Sequence, residues 1–376
     1  MEDHPRLVEL VRAAVASAGA KDPPLFAEGG TVPVAHYTDA ARLAGERTAL
    51  FARLPIPLAA SAELERPGTV LVRTLDGASL VLVRGGDGVA RAFRNACRHR
   101  GTRLAREDGC KKALVCPYHG WTFGLDGALL HVPHAAAFPA LDVATHGLAP
   151  VFAEERHGLV WVSLAREPLA VASHLGALDE ELAALGLDGH VVLRRVASEQ
   201  RGNWKMLMEA FLEGYHLRTL HRDTIYPFFL DARAAAQPVG PHVRHASARR
   251  SATEASESPR PLRELATFAY VIFPCTILIA HPDWTSLVVV QPLGTDRFSW
   301  THAQLASSLP ATDDARAHFE RSFRLIEENV FAREDLFAIA EMQAGLESGA
   351  NEVLTFGRLE TPALWFHASI ARALCD

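Results

Sequence analysis

Cys97-Arg98-His99 and, after sixteen intervening residues, Cys116-Pro117-Tyr118-His119 present two thiolates and two imidazoles as a Cys-x-His and Cys-x-x-His pair. Each half sets one sulfur and one nitrogen ligand on a tight loop. Two such loops facing each other can hold a two-iron, two-sulfide cluster, both thiolates on one iron and both imidazoles on the other. Neutral imidazoles leave that cluster less negative than four thiolates would, which raises its potential into the range of an electron relay. The same residues could instead grip a structural zinc, or sit in a core without any metal. Arg100-Gly101 and Gly120-Trp121 favour iron. The glycines permit backbone shapes closed to other residues and Pro117 stiffens the approach, so that main-chain N–H groups can point at sulfur.

A second group lies between Asn203 and His221. Glu209, Glu213 and His216 fall at i, i+4 and i+7, one face of a helix. His221 follows His216 by five residues, a rotation of about 140° on an ideal helix, so both imidazoles reach one metal only if the helix unwinds near Thr219. Two imidazoles and a carboxylate on one face of an iron leave positions open for dioxygen and substrate. The carboxylate has to come from elsewhere. The plainer alternative is a pair of hydrogen-bonded histidines, since the chain has eighteen; His131, His134, His146 and His157 are read as structural.

C-R-H-R-G, C-P-Y-H-G-W, the N-W-K of Asn203-Trp204-Lys205 and the E-x-x-H-x-x-x-x-H run from Glu213 to His221 together resemble the terminal oxygenase α subunit of the Rieske non-haem iron oxygenases, the aromatic ring-hydroxylating oxygenase family. The resemblance covers the chain from about residue 30 onward. It implies that Cys97, His99, Cys116 and His119 hold one Rieske [2Fe-2S] cluster and that His216 and His221 bind one mononuclear non-haem Fe(II). In that family the third iron ligand is an Asp on a late helix, often in a Glu-Asp pair followed by E-x-Q-x-G. Asp335 fits, with Glu341, Gln343 and Gly345 behind it and Glu334 next in line. Glu213 occupies the place of an acidic residue that links His216 to a cluster imidazole, His99 or His119, of the neighbouring subunit in a head-to-tail homotrimer. Most ring-hydroxylating members have Asp there. The Glu resembles the branch that oxidises quaternary amines such as carnitine, and Ala210 stands where Asn is common.

The implied activity is hydroxylation, dioxygenation or oxidative demethylation of a small aromatic or cyclic molecule, with a quaternary-amine monooxygenase as the alternative. A Rieske electron-transfer protein without oxygenase activity is the reading from a different class. Dioxygen reacts sluggishly with closed-shell molecules, so two electrons per turnover must be delivered at a metal. They come from NAD(P)H and flavin on a separate reductase, directly or through a ferredoxin. No nucleotide fingerprint appears: Gly85-Gly86-Asp87-Gly88 lies between strand-like runs and reads as a hairpin turn. Phe211, Leu212, Tyr215, Phe228, Ile272, Phe273, Ile279, Trp284 and Val288 are the candidate pocket residues.

At 376 residues the chain is two domains' worth. A net charge of −6 without a Lys/Arg run excludes an electrostatic footprint for nucleic acid, and no run of some eighteen uncharged apolar residues suggests a membrane span. Beyond the cluster, Cys110, Cys275 and Cys375 are an odd remainder without a disulfide framework. Five charged residues before Ala13 also break a secretory leader's pattern, so a cytoplasmic location is expected. The elements read as α+β. Residues 1–51 are expected to form a helical segment packing on the catalytic domain, residues 52–165 a small antiparallel β domain carrying the cluster loops, and residues 166–376 a catalytic domain whose antiparallel sheet is flanked by helices. Within the last, 203–220 reads as one helix, 231–259 as a long loop and 313–346 as a helix broken near its middle.

Overall fold

The computed structural model describes residues 4–16, 22–253 and 260–375. Two compact units emerge: Phe51–His174, and the described residues before and after it. Both are built on antiparallel sheets, with helices concentrated in the second, so the class is α+β.

In the Phe51–His174 unit, seven strands pair in the order Ile56–Ala60, Leu159–Ser163, Pro150–Arg156, Ala90–Arg94, Ala78–Arg84, Thr69–Leu75 and Gly109–Cys110. Thr69–Leu75, Ala78–Arg84 and Ala90–Arg94 pair in succession, joined by turns at Asp76-Gly77 and Gly85-Gly86-Asp87-Gly88. A smaller sheet of Leu114–Val115, Thr122–Phe123 and Leu129–His131 carries the second Cys-His loop. Val81, Val83, Phe93, Leu114, Trp121 and Phe123 form one buried cluster with Cys97 and Cys116, which ties the cysteines to the core.

The other unit centres on a seven-stranded antiparallel sheet ordered Val191–Arg201, Arg297–Ala306, Thr285–Pro292, Thr276–Ala280, Ala266–Ile272, His242–Arg249 and Phe229–Val239. Thr276–Ala280 is buried along its whole length, which is why it reads as an unbroken apolar run. The long loop expected at 231–259 is instead largely the last two strands, and its residues 254–259 lie outside the described ones. Phe229–Val239 hides from a pattern reading because it is alanine-rich, with a register shift after Phe229. As an edge strand it also tolerates Asp231 and Arg233.

The expected 203–220 helix is two pieces, Trp204–Ala210 and Leu217–Leu220. Asn203 caps the first by accepting from the Lys205 N–H, and its amide nitrogen reaches the Tyr37 and Thr295 carbonyls at 2.8 and 2.9 Å. Trp204 is fully buried, and Lys205 pairs with Glu46 at 2.7 Å, both out of solvent. The N-W-K run thus anchors the helix. The late helix runs Asp313–Arg324, then a π-helical stretch Leu325–Asp335, then Leu336–Glu347; its irregular middle is a widened coil, not a break. Within the segment expected to be helical, Gly30–Pro33 is instead a strand that pairs with Val353–Phe356.

Candidate metal centres and substrate cavity

The two Cys-His loops share one construction. Gly101 N–H donates to the Cys97 carbonyl at 2.9 Å and Gly120 N–H to the Cys116 carbonyl at 3.0 Å. Both glycines are left-handed, φ +79° and +72°, which a side chain would strain. Asn95 pins the first loop: its amide donates to the Ala105 carbonyl at 2.7 Å, and its oxygen accepts from the Leu104 and Ala105 N–H groups. Cys97 and Cys116 are both 3 % exposed. The His99 and His119 rings approach to 4.8 Å, and His99 stacks on Trp121 at 5.0 Å. Burial pushes the Cys97 thiol up. At Cys116 burial pushes the same way but is outweighed by the Tyr118 and His119 N–H groups, helped by hydrogen bonds with Cys97 and Thr102, so its thiol is held down. Backbone N–H groups do point at sulfur, and two buried sulfurs beside two surface-facing imidazoles suit a cluster with one sulfur-bound and one nitrogen-bound iron.

In the other unit, His216 and His221 flank the single turn Leu217–Leu220, their rings 5.0 Å apart. The unwinding expected near Thr219 lies earlier, across residues 211–216, and His221 leaves the helical region at φ −98°, ψ 20°. This break also separates Glu209 from Glu213, which had been placed on one helical face. Glu209 accepts from Tyr37 at 2.8 Å and lies 2.7 Å from His367 Nε2, whereas Glu213 holds His216 Nδ1 and accepts from the backbone of Tyr215 and His216.

Asp335 closes the π-helical stretch with its side chain buried, and Oδ1 sits 3.1 Å from His221 Nε2 and 3.9 Å from His216 Nε2. One ligand atom from each of these three residues lies within 4.8 Å of the others. Glu334 takes the far side of the same imidazole, 2.7 Å from His221 Nδ1, and accepts from Thr224 Oγ1 at 2.8 Å. Both Nδ1 atoms are therefore committed to carboxylates, which leaves both Nε2 lone pairs facing Asp335. Burial would lower both imidazoles, yet Glu213 at His216, and Asp335 with Glu334 at His221, raise them above the ordinary value. Two neutral-capable nitrogens and one carboxylate oxygen suit an octahedral iron with open positions. Glu334 had been named only as a substitute ligand; its place beyond His221 depends on the π-helical coil, which spacing does not reveal.

The triad lines a cavity of about 560 Å³. Phe211, Phe228, Ile279 and Trp284 are on its wall as expected; Leu212, Ile272, Phe273 and Val288 are instead buried in the core, and Tyr215 is 63 % exposed outside it. The wall also holds His245 and Arg249 from the strand His242–Arg249 and His281 from the turn after Thr276–Ala280, none of them part of a sequence motif. Burial holds His245 down to about 4. His281 belongs to a chain of hydrogen bonds: His281 Nε2 to Ser286 Oγ 3.0 Å, Ser286 Oγ to His302 Nε2 2.9 Å, His302 Nδ1 to Glu327 2.7 Å.

Residues 187–375, half the chain, match the ring-hydroxylating alpha subunit catalytic domain, and residues 55–147 match the Rieske [2Fe-2S] domain. The chain belongs to the ring-hydroxylating alpha-subunit family. It is accordingly a Rieske-type terminal oxygenase, an enzyme of paired [2Fe-2S] and mononuclear iron chemistry served by a separate reductase. Among relatives, it is 29 % identical over 331 residues to the carnitine monooxygenase oxygenase subunit of Escherichia coli K12, covering 85 % of each chain. It is 34 % identical over 196 residues to the glycine betaine monooxygenase oxygenase subunit of Chromohalobacter salexigens, covering 52 % of this chain and 44 % of that one. The fold matches naphthalene 1,2-dioxygenase from Rhodococcus with a TM-score of 0.80 at 19 % identity, covering 99 % of this chain and 98 % of that one.

Proposed function

We propose that this oxygenase hydroxylates a small organic substrate at an iron held by His216, His221 and Asp335, fed by a cluster held by Cys97, His99, Cys116 and His119. The observation that carries the reading is the convergence of two imidazole nitrogens and one carboxylate oxygen within 4.8 Å on the wall of a large cavity. When bound, iron would offer positions where dioxygen and substrate meet, and the cluster would pass electrons singly. Glu213 and Glu334 fix the two rings by holding Nδ1, while Phe211, Val330 and Phe331 keep the cavity wall dry beside them.

Glu213 is proposed to reach the neighbouring subunit's cluster imidazole in a head-to-tail homotrimer. Supporting this, Tyr118, beside His119, is 55 % exposed and Tyr215, beside His216, is 63 % exposed, large aromatic faces that a subunit contact would cover. The proposed division follows the two compact units, the cluster in Phe51–His174 and the iron in the other, so that residues 166–174, expected in the catalytic domain, group with the cluster unit. No helix among the described residues is long and apolar enough to cross a membrane. Cys110, Cys275 and Cys375, the cysteines outside the proposed cluster, are all in the thiol form, which supports a reducing, cytoplasmic setting.

For the substrate we favour a quaternary ammonium compound and monooxygenation, on the carnitine and glycine betaine relatives and on Glu at position 213. The aromatic or cyclic substrate keeps one support, the apolar wall of Phe211, Phe228, Ile279 and Trp284. The test is reconstituted turnover with a surrogate reductase across quaternary amines, aromatic acids and polycyclic compounds, following substrate-dependent dioxygen use and product mass. Fully metal-loaded protein that passes electrons but never consumes dioxygen with any substrate would leave the electron-transfer reading.

A further inference from the structure

We propose that Arg249 is the anchor for an anionic group on the substrate, so that this cavity selects molecules carrying a carboxylate. The inference rests on the cavity being the oxygenase's substrate site and deepens that reading. Arg249 ends the strand His242–Arg249 and lines the cavity with Phe228, Phe229, Glu264, Thr267 and His281. Its guanidinium sits over the Phe228 and Phe229 rings, 5.8 and 5.4 Å from their centres, and Nη1 donates to Thr267 Oγ1 at 3.2 Å.

Among the described residues it has no ion-pair partner. That sets it apart from Arg73, which pairs with Glu63 and Asp108, from Arg84 on Glu155 and from Arg244 on Glu181. Asp283, an acid on the same cavity wall, is tied to His318, and Glu264 lies beyond ion-pair reach. Burial lowers the guanidinium's pKa and no neighbouring acid offsets it. A desolvated cation without a partner is costly. Of its five N–H donors only one is used among the described residues, leaving a planar fork whose geometry matches a carboxylate.

A consequence separates substrate classes that the metals cannot. The rings of Phe228 and Phe229 already face a cation, so a trimethylammonium group gains nothing there, and a ligand cation must sit elsewhere against Phe211 or Trp284. Betaines and aryl carboxylic acids satisfy both ends; choline-like alcohols and hydrocarbons leave Arg249 unpaired.

Calorimetry and thermal shift on the holoenzyme, with matched pairs, test this: glycine betaine against choline, γ-butyrobetaine against its methyl ester, phenylacetate against phenylacetamide. At least one carboxylate is expected to bind tenfold or more tighter than its partner. Arg249→Gln should erase that preference, weakening the carboxylate by about 10- to 100-fold while leaving the partner's affinity unchanged; Arg249→Lys should keep part of it. A preference that survives Arg249→Gln, or no carboxylate preference in any pair, including no binding at all, overturns the proposal. An unchanged Rieske spectrum controls for folding, and should Arg249→Gln fail to fold, the wild-type pairs and Arg249→Lys still decide. Arg249-dependent carboxylate binding without dioxygen consumption would sink the oxygenation reading and spare the anchor; turnover of uncharged compounds with carboxylates inert would do the reverse.

Discussion

Glu334→Ala is expected to loosen the mononuclear iron without disturbing the cluster. Glu334 accepts from His221 Nδ1 at 2.7 Å and from Thr224 Oγ1 at 2.8 Å, and the His221 side chain is only 2 % exposed. Removing the carboxylate strands the Nδ1 proton where water scarcely reaches, at about 1–3 kcal/mol for an unsatisfied buried group. Thr224 suffers less, because its hydroxyl also bonds the His221 carbonyl at 3.2 Å. The imidazole is then free to rotate or change tautomer, which turns its Nε2 lone pair away from Asp335. Losing a partner of this kind weakens metal binding about 10- to 100-fold, or about 1.4–2.8 kcal/mol at 1.4 kcal/mol per decade, within the range of the hydrogen-bond cost. Glu334→Gln keeps an acceptor and loses only the charge, so its effect should sit at the lower end. The assay is iron retention against a graded chelator, with the Rieske absorbance of the same sample as internal control. Wild-type retention in Glu334→Ala, or parallel loss of cluster and iron, would refute the reasoning.

Glu213→Gln should retain both metals, accept electrons at the cluster and lose turnover by about 10- to 100-fold; wild-type turnover at full metal loading would remove the bridging role and the main sequence argument for a closed ring of subunits. His99→Cys and Cys116→Ser should each abolish the Rieske EPR signal, because ligand type sets the cluster's electronics, and a native spectrum in either would overturn the ligand assignment. His245, 5 % exposed, is depressed to about 4 by burial, so between about 6.5 and 4 the unfolded chain binds a proton that the folded one refuses. The stability this histidine contributes is present above pH 6.5 and lost as pH falls through that window, up to ~3 kcal/mol at 1.36 kcal/mol per unit. Denaturant midpoints from pH 7 to 4 should therefore decline less steeply in His245→Asn, and an identical pH slope would show that His245 does not carry this dependence.

The two Cys-His loops were legible because their cysteines, histidines, glycines and proline are local in sequence: Gly101 and Gly120 adopt the left-handed backbone that glycine permits. The His216–His221 pair was legible as a pair, but the point of unwinding was not. It depends on Glu209 being held by Tyr37 and His367, contacts across more than 150 positions of sequence, while Glu213 turns to its near neighbour His216. The strand Phe229–Val239 was invisible because alanine and charge at an edge carry no alternation. Arg249, and the place of Glu334 behind His221, escaped for a related reason. An arginine at a strand end, or a glutamate on a charged helix, gains meaning only from what the fold sets beside it, here a dry cavity wall and the back of an imidazole.

Iron counting in Asp335→Ala tests the central claim most directly. If His216, His221 and Asp335 hold the mononuclear iron, the variant should lose about one iron per chain and all product formation, while the cluster's absorption and EPR signal stay at wild-type intensity. Full iron content with active turnover would contradict the account and move the third ligand elsewhere.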